Sequence, residues 1–349
     1  MRERSTLTVD VGKICENIEK IKRFSHSGIY AVLKANAYGM GAVEIARYIE
    51  KSVDGIFVAT PQEGVELRKN DIRTKVWISG CFDKEDYEIC RQFDMIASVH
   101  SFDTLGILET MPSDCIPRLS VAIDTGMSRF GFSCGDETDE ITFSEKVRDR
   151  VVLAYTHLYD GGSVKTSEIQ KKRFDRFCAN NFDKHGITVE KSVDNSKSVF
   201  LGYAGYDHVR IGIGLYVFMR KGTKIAIRLT SKIVSIKNIE RGDGVGYGAI
   251  YVSPCRKKIA VVSMGYADGY PTTLGNRGVA IVRRKRVPVV GSVCMDCLFV
   301  DVSDVPDVAL GDEVVLFGEE NFSDFIESDV FLYSFLCGVG RRVEKKYLY

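Results

Sequence analysis

Residues 30–41 read YAVLKANAYGMG, and this stretch decides how the rest of the chain is interpreted. An apolar run ends at Lys34, a glycine-rich turn follows, and a helix-like segment runs from Ala42 to Lys51. A lysine at the carboxyl end of a buried strand lies where barrels and open α/β sheets place their chemistry, and burial makes its amine a better nucleophile. Lys34 is therefore a candidate for Schiff-base formation. Its spacing alone also fits a lysine that extends from a strand end into solvent.

Short apolar runs alternate with amphipathic segments on both sides of this stretch. After a short strand at Thr6–Val9, Asp10 can cap a helix whose apolar residues recur at spacings of three and four, namely Val11, Ile14, Ile18 and Ile21. With the lysine strand, seven further apolar runs make eight predicted strands: Gly55–Ala59, Val76–Ser79, Ile96–Val99, Leu119–Ile123, Val151–His157, Lys191–Val193 and Val209–Ile211. Helix-like stretches such as Lys84–Phe93 and Glu168–Asn181 separate most of them. This alternation favours a (β/α)8 barrel over a doubly wound sheet.

Polar residues follow several of these runs. The strand-end residues are Lys34, Asp124, His157, Asn195 and Arg210. Because the carboxyl ends of barrel strands meet at one face, we expect these side chains to converge there.

The pattern changes near Lys224. Strand-like alternation runs from Ala226 to Ile236, and glycines and prolines then separate short apolar pieces. These pieces are Lys258–Ser263, Val279–Val282, Val287–Val290, Leu298–Val302 and Glu313–Phe317, with one short helix expected within Ser323–Leu336. We therefore expect two domains: a barrel at residues 1–224 that includes the N-terminal strand, and a mostly β domain at residues 225–349.

Composition excludes several classes of protein. The 48 basic and 47 acidic side chains give a net charge of +1, and no long basic run offers a surface for nucleic acid. No apolar run approaches the ~18–20 residues that cross a bilayer, and no signal peptide is apparent. Ten scattered cysteines indicate reduced thiols, and the lone CxxC at Cys294–Cys297 lacks a second pair or a nearby histidine, so no metal is expected. We expect a cytoplasmic protein that acts on a small molecule.

Residues 32–41 resemble the pyridoxal-phosphate motif of the alanine racemases, which are fold-type III pyridoxal-phosphate enzymes. Further motifs similar to that family follow in its order across almost the whole chain: Asp124–Gly131, Thr156–His157, Asn195–Ser196, Arg210–Ile213, Gly246–Ala249, Gly265–Tyr270 and Val293–Asp296. The resemblance implies a TIM-type barrel followed by a β domain, pyridoxal 5'-phosphate as cofactor, and interconversion of L-alanine and D-alanine. It also implies a supply of D-alanine for bacterial cell-wall peptide.

Racemisation needs a base on each face of the substrate and an electron sink for the carbanion. The resemblance makes Lys34 both the lysine that binds the cofactor and one base, and Tyr247 the opposite base. The residues alone do not distinguish Tyr247 from Tyr266, or from an ordinary strand tyrosine. In the family, the histidine matching His157 orients the tyrosine and is linked onward to Arg210.

The resemblance also assigns the cofactor contacts. Arg210 matches the arginine at the pyridine nitrogen, where a permanently charged guanidinium leaves that nitrogen unprotonated and disfavours transamination. The residues alone would also allow a structural ion pair for Arg210 and a helix cap for Ser196. The full set implied is Lys34, Tyr38, His157, Asn195, Ser196, Arg210, and the backbone amides of Gly212 and Ile213.

Substrate contacts are implied in both domains. Arg129 matches the arginine that reaches the cofactor phenolate and the substrate carboxylate, for which a guanidinium is suited, and the backbone amide of Met295 matches a second carboxylate contact. Tyr266, Asp296 and Arg341 would line the entrance. In the family the β domain of one subunit covers the barrel mouth of the other, so we expect a head-to-tail homodimer with shared sites and an inactive monomer.

The sequence departs from the family at three positions. Ala122 replaces a carboxylated lysine, so a chloride, another acidic group or nothing accompanies Arg129. Met40 replaces a histidine, and Arg341 replaces a tyrosine that narrows the pocket. Because pockets discriminate one small group by only ~1–3 kcal/mol, a serine racemase or serine/alanine racemase is an alternative. A decarboxylase with the same cofactor lacks the Tyr247 and Tyr266 motifs, and a carrier of pyridoxal phosphate would lack the β-rich stretch Ile225–Tyr349.

Overall fold

The computed structural model describes residues 4–134, 140–202, 204–217 and 222–349. The chain divides into two compact units. Ile14–Ala37 and Gly41–Lys224 form one, which we call the barrel unit. Met1–Lys13, Tyr38–Met40 and Ile225–Tyr349 form the other, which we call the β unit.

The first two elements are a strand and a helix. Strand β1 (Thr6–Asp10) leads into the helix Val11–Ser25, and the Lys13 amide donates to Asp10 Oδ1 at 2.9 Å. This bond caps the helix as predicted. The four predicted apolar positions of the helix, Val11, Ile14, Ile18 and Ile21, are buried.

Eight parallel strands close into the barrel. The strands that follow β1 are β2 (Gly28–Val32), β3 (Gly55–Val58), β4 (Lys75–Ile78), β5 (Ile96–Val99), β6 (Arg118–Asp124), β7 (Phe132–Ser133), β8 (Val151–Tyr155), β9 (Glu190–Asn195) and β10 (His208–Ile211). The ring closes because β10 pairs with β2, whereas β7 pairs with β6 outside the ring. The predicted barrel is confirmed, with strands within a few residues of the apolar runs.

Helices alternate with these strands. They are Ala42–Ile49, Pro61–Lys69, Lys84–Gln92, Phe102–Thr110, Glu145–Arg148, Val164–Asn181 and Ser196–Phe200. In the part of the chain that the structure describes, no helix is long and apolar enough to cross a membrane.

A buried polar network fills part of the barrel interior. Trp77 Nε1 donates to Ser120 Oγ at 2.7 Å and to Ser98 Oγ at 3.2 Å, and the Tyr155 hydroxyl donates to Ser98 Oγ at 3.1 Å. Each of these polar groups has a partner, which is the condition for burying them without a large desolvation cost. The network fixes the Trp77 and Tyr155 rings.

The β unit is built mainly on one sheet. Its strands after β1 are β11 (Ile227–Ile239), β12 (Gly244–Val245), β13 (Tyr251–Val252), β14 (Lys257–Val262), β15 (Val279–Val282), β16 (Lys285–Pro288), β17 (Leu298–Asp301), β18 (Glu313–Phe317) and β19 (Glu344–Leu348). The sheet order is β16-β15-β18-β11-β1-β19, β14 joins β11 to β17, and β12 pairs with β13 separately. The predicted mostly β domain is confirmed. The single helix expected within Ser323–Leu336 is two helices, Phe322–Glu327 and Leu332–Gly338, because Asp329 has a φ of +58° between them.

Strand β1 belongs to this sheet and not to the barrel with which the sequence analysis counted it. Thr6 pairs antiparallel with Thr230 of β11 and parallel with Glu344 of β19. Both edges of β1 are therefore hydrogen-bonded within the β unit, and its alternate residues Leu7 and Val9 are buried.

Candidate functional site

A left-handed turn follows β2 and begins at Lys34. Residues 35–38 have φ between +53° and +56°, although none of them is glycine. Such a conformation costs an L-residue about 1–2 kcal/mol, so four in succession require strong support from their surroundings. Gly39 continues the turn at +84°, and a Cβ there would lie 2.6 Å from the Leu336 carbonyl oxygen. The lysine strand thus ends at Val32 and not at Lys34, because the backbone turns left-handed.

Asn36 supports this turn with its backbone and its side chain. Its carbonyl accepts from the Gly41 amide at 2.9 Å, and its Oδ1 accepts from the Ala42 amide at 2.7 Å. The second bond satisfies the first amide of the helix Ala42–Ile49, whose own N-cap, Gly41, has no side chain to do so. Asparagine is among the few residues that tolerate left-handed backbone.

Glu63 is a second support that the sequence analysis missed. Its Oε1 accepts from the Ala35 amide at 2.6 Å, while Oε2 accepts from the Ala59 amide at 2.8 Å. Glu63 also forms a capping box with Thr60 at the start of the helix Pro61–Lys69. The spacing of Thr60 and Glu63 could have predicted that cap, but not its bond to the lysine turn.

Arg210 is buried at the carboxyl end of β10. Nη1 donates to Ser192 Oγ at 2.6 Å and to the Ser192 carbonyl at 3.0 Å, and Nη2 donates to the carbonyls of Thr156 and Val193. Nε has no acceptor among the described residues. The guanidinium is therefore fixed by four bonds and keeps one donor available.

Three aromatic rings surround the Arg210 guanidinium carbon. The ring centres lie at 6.0 Å for Phe57, 5.7 Å for Trp77 and 5.4 Å for Tyr155. Such faces attract a cation electrostatically. Burial lowers the pKa of Arg210 to about 10, so the side chain keeps its charge at neutral pH.

His157 is held neutral among cations. Burial, with the charges of Arg210, Arg129 and Lys34, lowers its pKa to about 3. Its ring makes no hydrogen bond to any residue that the structure describes, so the link to Arg210 that the resemblance implies is an electrostatic proximity here and not a bond. The carbonyl of His157 accepts from Gln170 Nε2 at 3.1 Å, which fixes its backbone.

Ser196 lies beside two glycine amides. Its Oγ accepts from the Gly212 amide at 3.2 Å and from the Gly214 amide at 3.3 Å. A Cβ at Gly214 would approach Ser196 Oγ to 3.2 Å and a Phe200 ring carbon to 3.1 Å. Gly212 and Ile213 were predicted from the sequence, whereas Gly214 was not, because its place beside Ser196 depends on this close approach.

Asn195 caps the helix Ser196–Phe200. Its Oδ1 accepts from the Lys197 amide at 3.0 Å and the Ser198 amide at 3.3 Å, and its Nδ2 donates to the Leu158 carbonyl at 3.2 Å. Asn195, and not Ser196, is therefore the N-cap.

Arg129 lies on an exposed loop after β6. Asp124 Oδ1 orders this loop by accepting from the amides of Gly126, Met127 and Ser128 at 2.9–3.0 Å. No ion pair joins Arg129 to a carboxylate in residues 4–134, 140–202, 204–217 or 222–349, and Ala122 is buried. The acidic group considered as a replacement for the carboxylated lysine is thus not found among those residues.

Tyr247 stands on a turn of the β unit between β12 and β13. Its side chain is 77% exposed. Its carbonyl accepts from Ser292 Oγ at 2.6 Å, and Gly246 and Gly248 have φ of +72° and +69°. The two glycines permit the tight turn that presents the phenol outward.

Tyr266 and Met295 lie on two turns that are bonded to each other. The Tyr266 amide donates to the Cys294 carbonyl and the Ala267 amide to the Met295 carbonyl, both at 3.0 Å. A Cβ at Gly265 would lie 2.3 Å from the Met295 carbonyl oxygen, so only glycine allows this approach. Both side chains are exposed.

Two arginines follow each other near the predicted entrance residues. Arg341 is exposed and forms no ion pair with a described residue. Arg342, which the sequence analysis did not single out, donates to Asp268 Oδ1 at 2.8 Å and to Asp296 Oδ1 at 2.7 Å.

Tyr38 and Met40 group with the β unit. The Tyr38 ring lies 5.7 Å from the Tyr333 ring, centre to centre, and the Tyr347 hydroxyl donates to the Met40 carbonyl at 2.8 Å. Burial, followed by Tyr333 and Cys337, raises the pKa of Tyr38.

The CxxC pair, Cys294 and Cys297, lies just before β17. The Cys294 amide donates to the Cys297 carbonyl at 2.8 Å, and both thiols are free. Within the described ranges, no group of three His, Cys, Asp or Glu side chains could hold an ion.

The predicted residues fall into two sets. In the barrel unit, Lys34, Arg129 and Arg210 are each close enough to His157 for their charges to lower its pKa, and Arg129 also acts on Arg210. The turns that carry Tyr247, Tyr266, Met295 and Asp296 belong to the β unit.

The family comparisons match both units. Residues 9–219 match the family model for the alanine racemase N-terminal domain, and residues 226–347 match that for the alanine racemase C-terminal domain. A protein of Aquifex pyrophilus named alanine racemase is 32% identical, over 98% of this chain and 98% of its own length. A Schizosaccharomyces pombe protein named "alanine racemase, catabolic" is 31% identical, over 98% of each chain.

Solved structures are similar over the whole chain. A biosynthetic alanine racemase from Pseudomonas aeruginosa superposes with a TM-score of 0.86 at 26% identity, covering 99% of this chain and 100% of that one. A Bartonella henselae alanine racemase described with covalently bound pyridoxal phosphate has the same fold, with a TM-score of 0.85 at 24% identity and 99% of each chain covered. Since both domain models and full-length relatives match a chain with this barrel and these motifs, it belongs to the alanine racemase family and is an isomerase that acts on alanine.

Proposed function

We propose that the protein interconverts L-alanine and D-alanine with pyridoxal phosphate, and that Lys34 and Tyr247 are its two bases. The cluster in the barrel unit carries this proposal: Lys34 and two arginines act electrostatically on a neutral His157. An enzyme that binds a phosphorylated cofactor and an amino-acid carboxylate needs cations at the carboxyl face of its barrel.

Two features of the barrel unit fit this cofactor. Arg210 Nε has no acceptor among the described residues, so it can donate to a ring nitrogen. The Ser196 hydroxyl can donate to a phosphate, and the amides of Gly212 and Gly214, which donate to Ser196 Oγ here, lie beside it and could turn to the same anion. When bound, pyridoxal phosphate would supply the electron sink for the substrate carbanion. Tyr38, Asn195 and Ile213 stay predicted contacts.

The side chains then have separate tasks. Arg129 would hold the substrate carboxylate, because a guanidinium fork matches two carboxylate oxygens. Lys34 Nζ would exchange the α-proton on one face and the Tyr247 hydroxyl on the other. Arg210 would donate a hydrogen bond without giving up its proton, since its pKa of about 10 keeps it charged near neutrality.

We also propose a homodimer in which the β unit of one subunit completes the site of the other. The support is the exposure of the proposed base, since Tyr247 is 77% exposed in the single chain. Ile250 and Val252 belong to the same hairpin and are exposed as well. Proton transfer at a substrate carbon benefits when water is excluded from the site. A phenol that is exposed to solvent needs another surface to cover it before this condition is met.

The test uses Lys34→Ala and Tyr247→Phe in the cofactor-loaded enzyme, with Tyr48→Phe as a control at another exposed tyrosine. Chiral chromatography follows each direction separately. We expect the activity of Lys34→Ala to fall more than about 10³-fold in both directions of racemisation. Tyr247→Phe should lose activity in at least one direction. Borohydride reduction followed by peptide mass spectrometry should add the cofactor mass to Lys34 in the wild type. Full activity of Tyr247→Phe in both directions would contradict the two-base proposal.

Serine is the second candidate substrate. Arg341 stands where the resemblance places a tyrosine, and it is exposed without an ion pair among the described residues. The substrate entrance would therefore differ from that of relatives that have the tyrosine. Comparable rates for L-serine and L-alanine in the same assay would assign a serine/alanine racemase. A decarboxylase would release carbon dioxide instead.

The physiological role is a further proposal. We propose that D-alanine supplies cell-wall peptide, in the cytoplasm where the cysteines are expected to stay reduced. Restored growth of a bacterium that requires D-alanine would support a biosynthetic role, whereas induction of the protein by D-alanine would favour a catabolic one.

A further inference from the structure

Arg342 connects two carboxylates of the β unit. Its Nε donates to Asp268 Oδ1 at 2.8 Å, and its Nη1 donates to Asp296 Oδ1 at 2.7 Å. We propose that Arg342 is a positioning residue that sets the substrate entrance by tying together the loops that carry the predicted entrance residues. This inference rests on the proposed racemase function, because only a turnover assay measures the effect of the entrance on substrate binding.

The first loop is the turn that carries Tyr266. Asp268 is nearly buried, and its Oδ2 accepts from the Gly265 amide at 2.9 Å. One oxygen of this carboxylate therefore closes the turn while the other binds Arg342. The guanidinium is thus anchored to the rigid end of the turn, not to a mobile surface group.

The second loop carries Met295 and Asp296. Asp296 is largely exposed, and an isolated exposed ion pair contributes little because solvent screens it. Here the same guanidinium is already fixed by Asp268, so binding Asp296 requires less additional ordering. The pairing therefore restrains Asp296, a predicted entrance residue, and its neighbour Met295, whose amide is a predicted contact of the substrate carboxylate.

The third segment carries Arg341. The Gly340 amide donates to the Asp268 carbonyl at 3.0 Å, and a Cβ at Gly269 would lie 2.3 Å from the Gly338 carbonyl oxygen. Arg341 lies between this backbone anchor and the Arg342 side-chain anchor. Arg342 thus acts on all three parts of the predicted entrance.

Lysine cannot replace this arginine fully. Its single ammonium has no planar fork with which to meet two carboxylates on separate loops, whereas Nε and Nη1 of arginine do so in one plane. A lysine variant keeps the charge and should keep only one of the two contacts.

Arg228 provides a matched control in the same unit. It also bridges two carboxylates, with Nη2 at 2.9 Å from Glu313 and Nε at 3.2 Å from Glu320. Its side chain is 36% exposed, against 53% for Arg342. It touches none of the three entrance segments, so its loss should have a similar structural cost without an effect on substrate.

The experiment compares Arg342→Met, Arg342→Lys and Arg228→Met as cofactor-loaded enzymes. We expect Arg342→Met to raise the KM for L-alanine about 10-fold with kcat changed less than about threefold, because a misplaced entrance weakens binding before chemistry. Arg342→Lys should recover part of this loss, and Arg228→Met should keep the wild-type KM. Amide hydrogen exchange should speed up at residues 265–269 and 294–297 in Arg342→Met alone.

Three outcomes would overturn the proposal. One is an unchanged KM in Arg342→Met, and another is an equal rise in Arg228→Met, which would mean a general effect of stability. The third is a loss confined to kcat. If Arg342→Met does not fold, Asp296→Asn removes the outer contact and should give the same rise in KM. If the wild type racemises neither alanine nor serine, the proposed function fails, while the exchange measurement still decides whether Arg342 restrains the loops.

Discussion

At the scale of single residues, the site depends on one imidazole that stays uncharged. His157 lies near Lys34, Arg129 and Arg210, and a fourth positive charge there would be costly. A neutral ring keeps both a donor and an acceptor, which suits a group expected to orient a phenol. The cations on the cofactor side therefore determine what His157 can do.

This arrangement predicts a dependence of stability on pH. The His157 pKa is about 3 in the folded chain, and a free histidine titrates near 6.5, so between these values the unfolded chain binds more protons. Stability from this site is therefore present above about pH 6.5 and is lost as the pH falls. The unfolding free energy of the wild type should fall between pH 7 and pH 5. In His157→Gln this fall should be smaller by about 1–2 kcal/mol.

The measurement is chemical denaturation at both pH values, with His185→Gln as a control at an exposed histidine. Equal pH dependence in the wild type and His157→Gln would show that this histidine is not the neutral group described here.

Residue types and motifs were enough to name candidate site residues, but not the bonds that support them. Lys34 and Arg210 could be named because each lies at the end of an apolar run and matches a motif. Glu63 could not, because its bond to the Ala35 amide joins segments that only the folded barrel brings together. The same holds for Arg342, whose two carboxylates come from separate turns.

At the scale of elements, the apolar runs predicted strands better than turns. The bounds of Ile96–Val99, Val279–Val282 and Glu313–Phe317 agree with the observed strands. The run Val287–Val290 does not agree, because the bounds of β16 are set by its pairing with β15. Strand β16 therefore begins at the polar Lys285. The left-handed turn was not predictable, since the four residues before Gly39 that have positive φ, residues 35–38, are not glycines.

This turn predicts an unusual substitution pattern at Ala35. The side chain is exposed and φ is +53°, so valine adds strain without changing a packed core. We expect Ala35→Val to lower the unfolding free energy by about 1–2 kcal/mol, whereas Ala35→Gly should change it by less than about 1 kcal/mol because relief of strain offsets the added freedom of the unfolded chain.

Urea denaturation measures both variants, and Ala179→Val is the control at an exposed position in the helix Val164–Asn181. That control should lose less than about 0.7 kcal/mol. A loss in Ala35→Val no larger than in the control would argue against a strained turn.

At the scale of the whole molecule, the two candidate bases belong to different units. Lys34 is part of the barrel unit and Tyr247 of the β unit. If each site takes one base from each subunit of a homodimer, two variants that are inactive alone can restore each other.

Mixing tests this directly. Lys34→Ala and Tyr247→Phe subunits are unfolded together in equal amounts and refolded with cofactor. Random pairing makes half of the dimers mixed, and each mixed dimer has one intact site, so we expect about a quarter of wild-type activity. No recovery would mean that each subunit supplies both of its own bases. Refolded wild type is the reference, and analytical ultracentrifugation checks the dimer.

The position of β1 in the β unit has a consequence for how the chain is made. Thr6–Asp10 precedes the barrel in the chain, yet its neighbours in the sheet are Ile227–Ile239 and Glu344–Leu348, which follow the barrel. All the strands of the barrel precede both neighbours of β1 in the chain and are therefore synthesised before them. Both edges of β1 therefore stay open during most of translation, when they are exposed to pairing with other nascent chains. The sheet of the β unit can therefore be completed only after β19 is made, although one of its strands, β1, precedes the whole barrel in the chain.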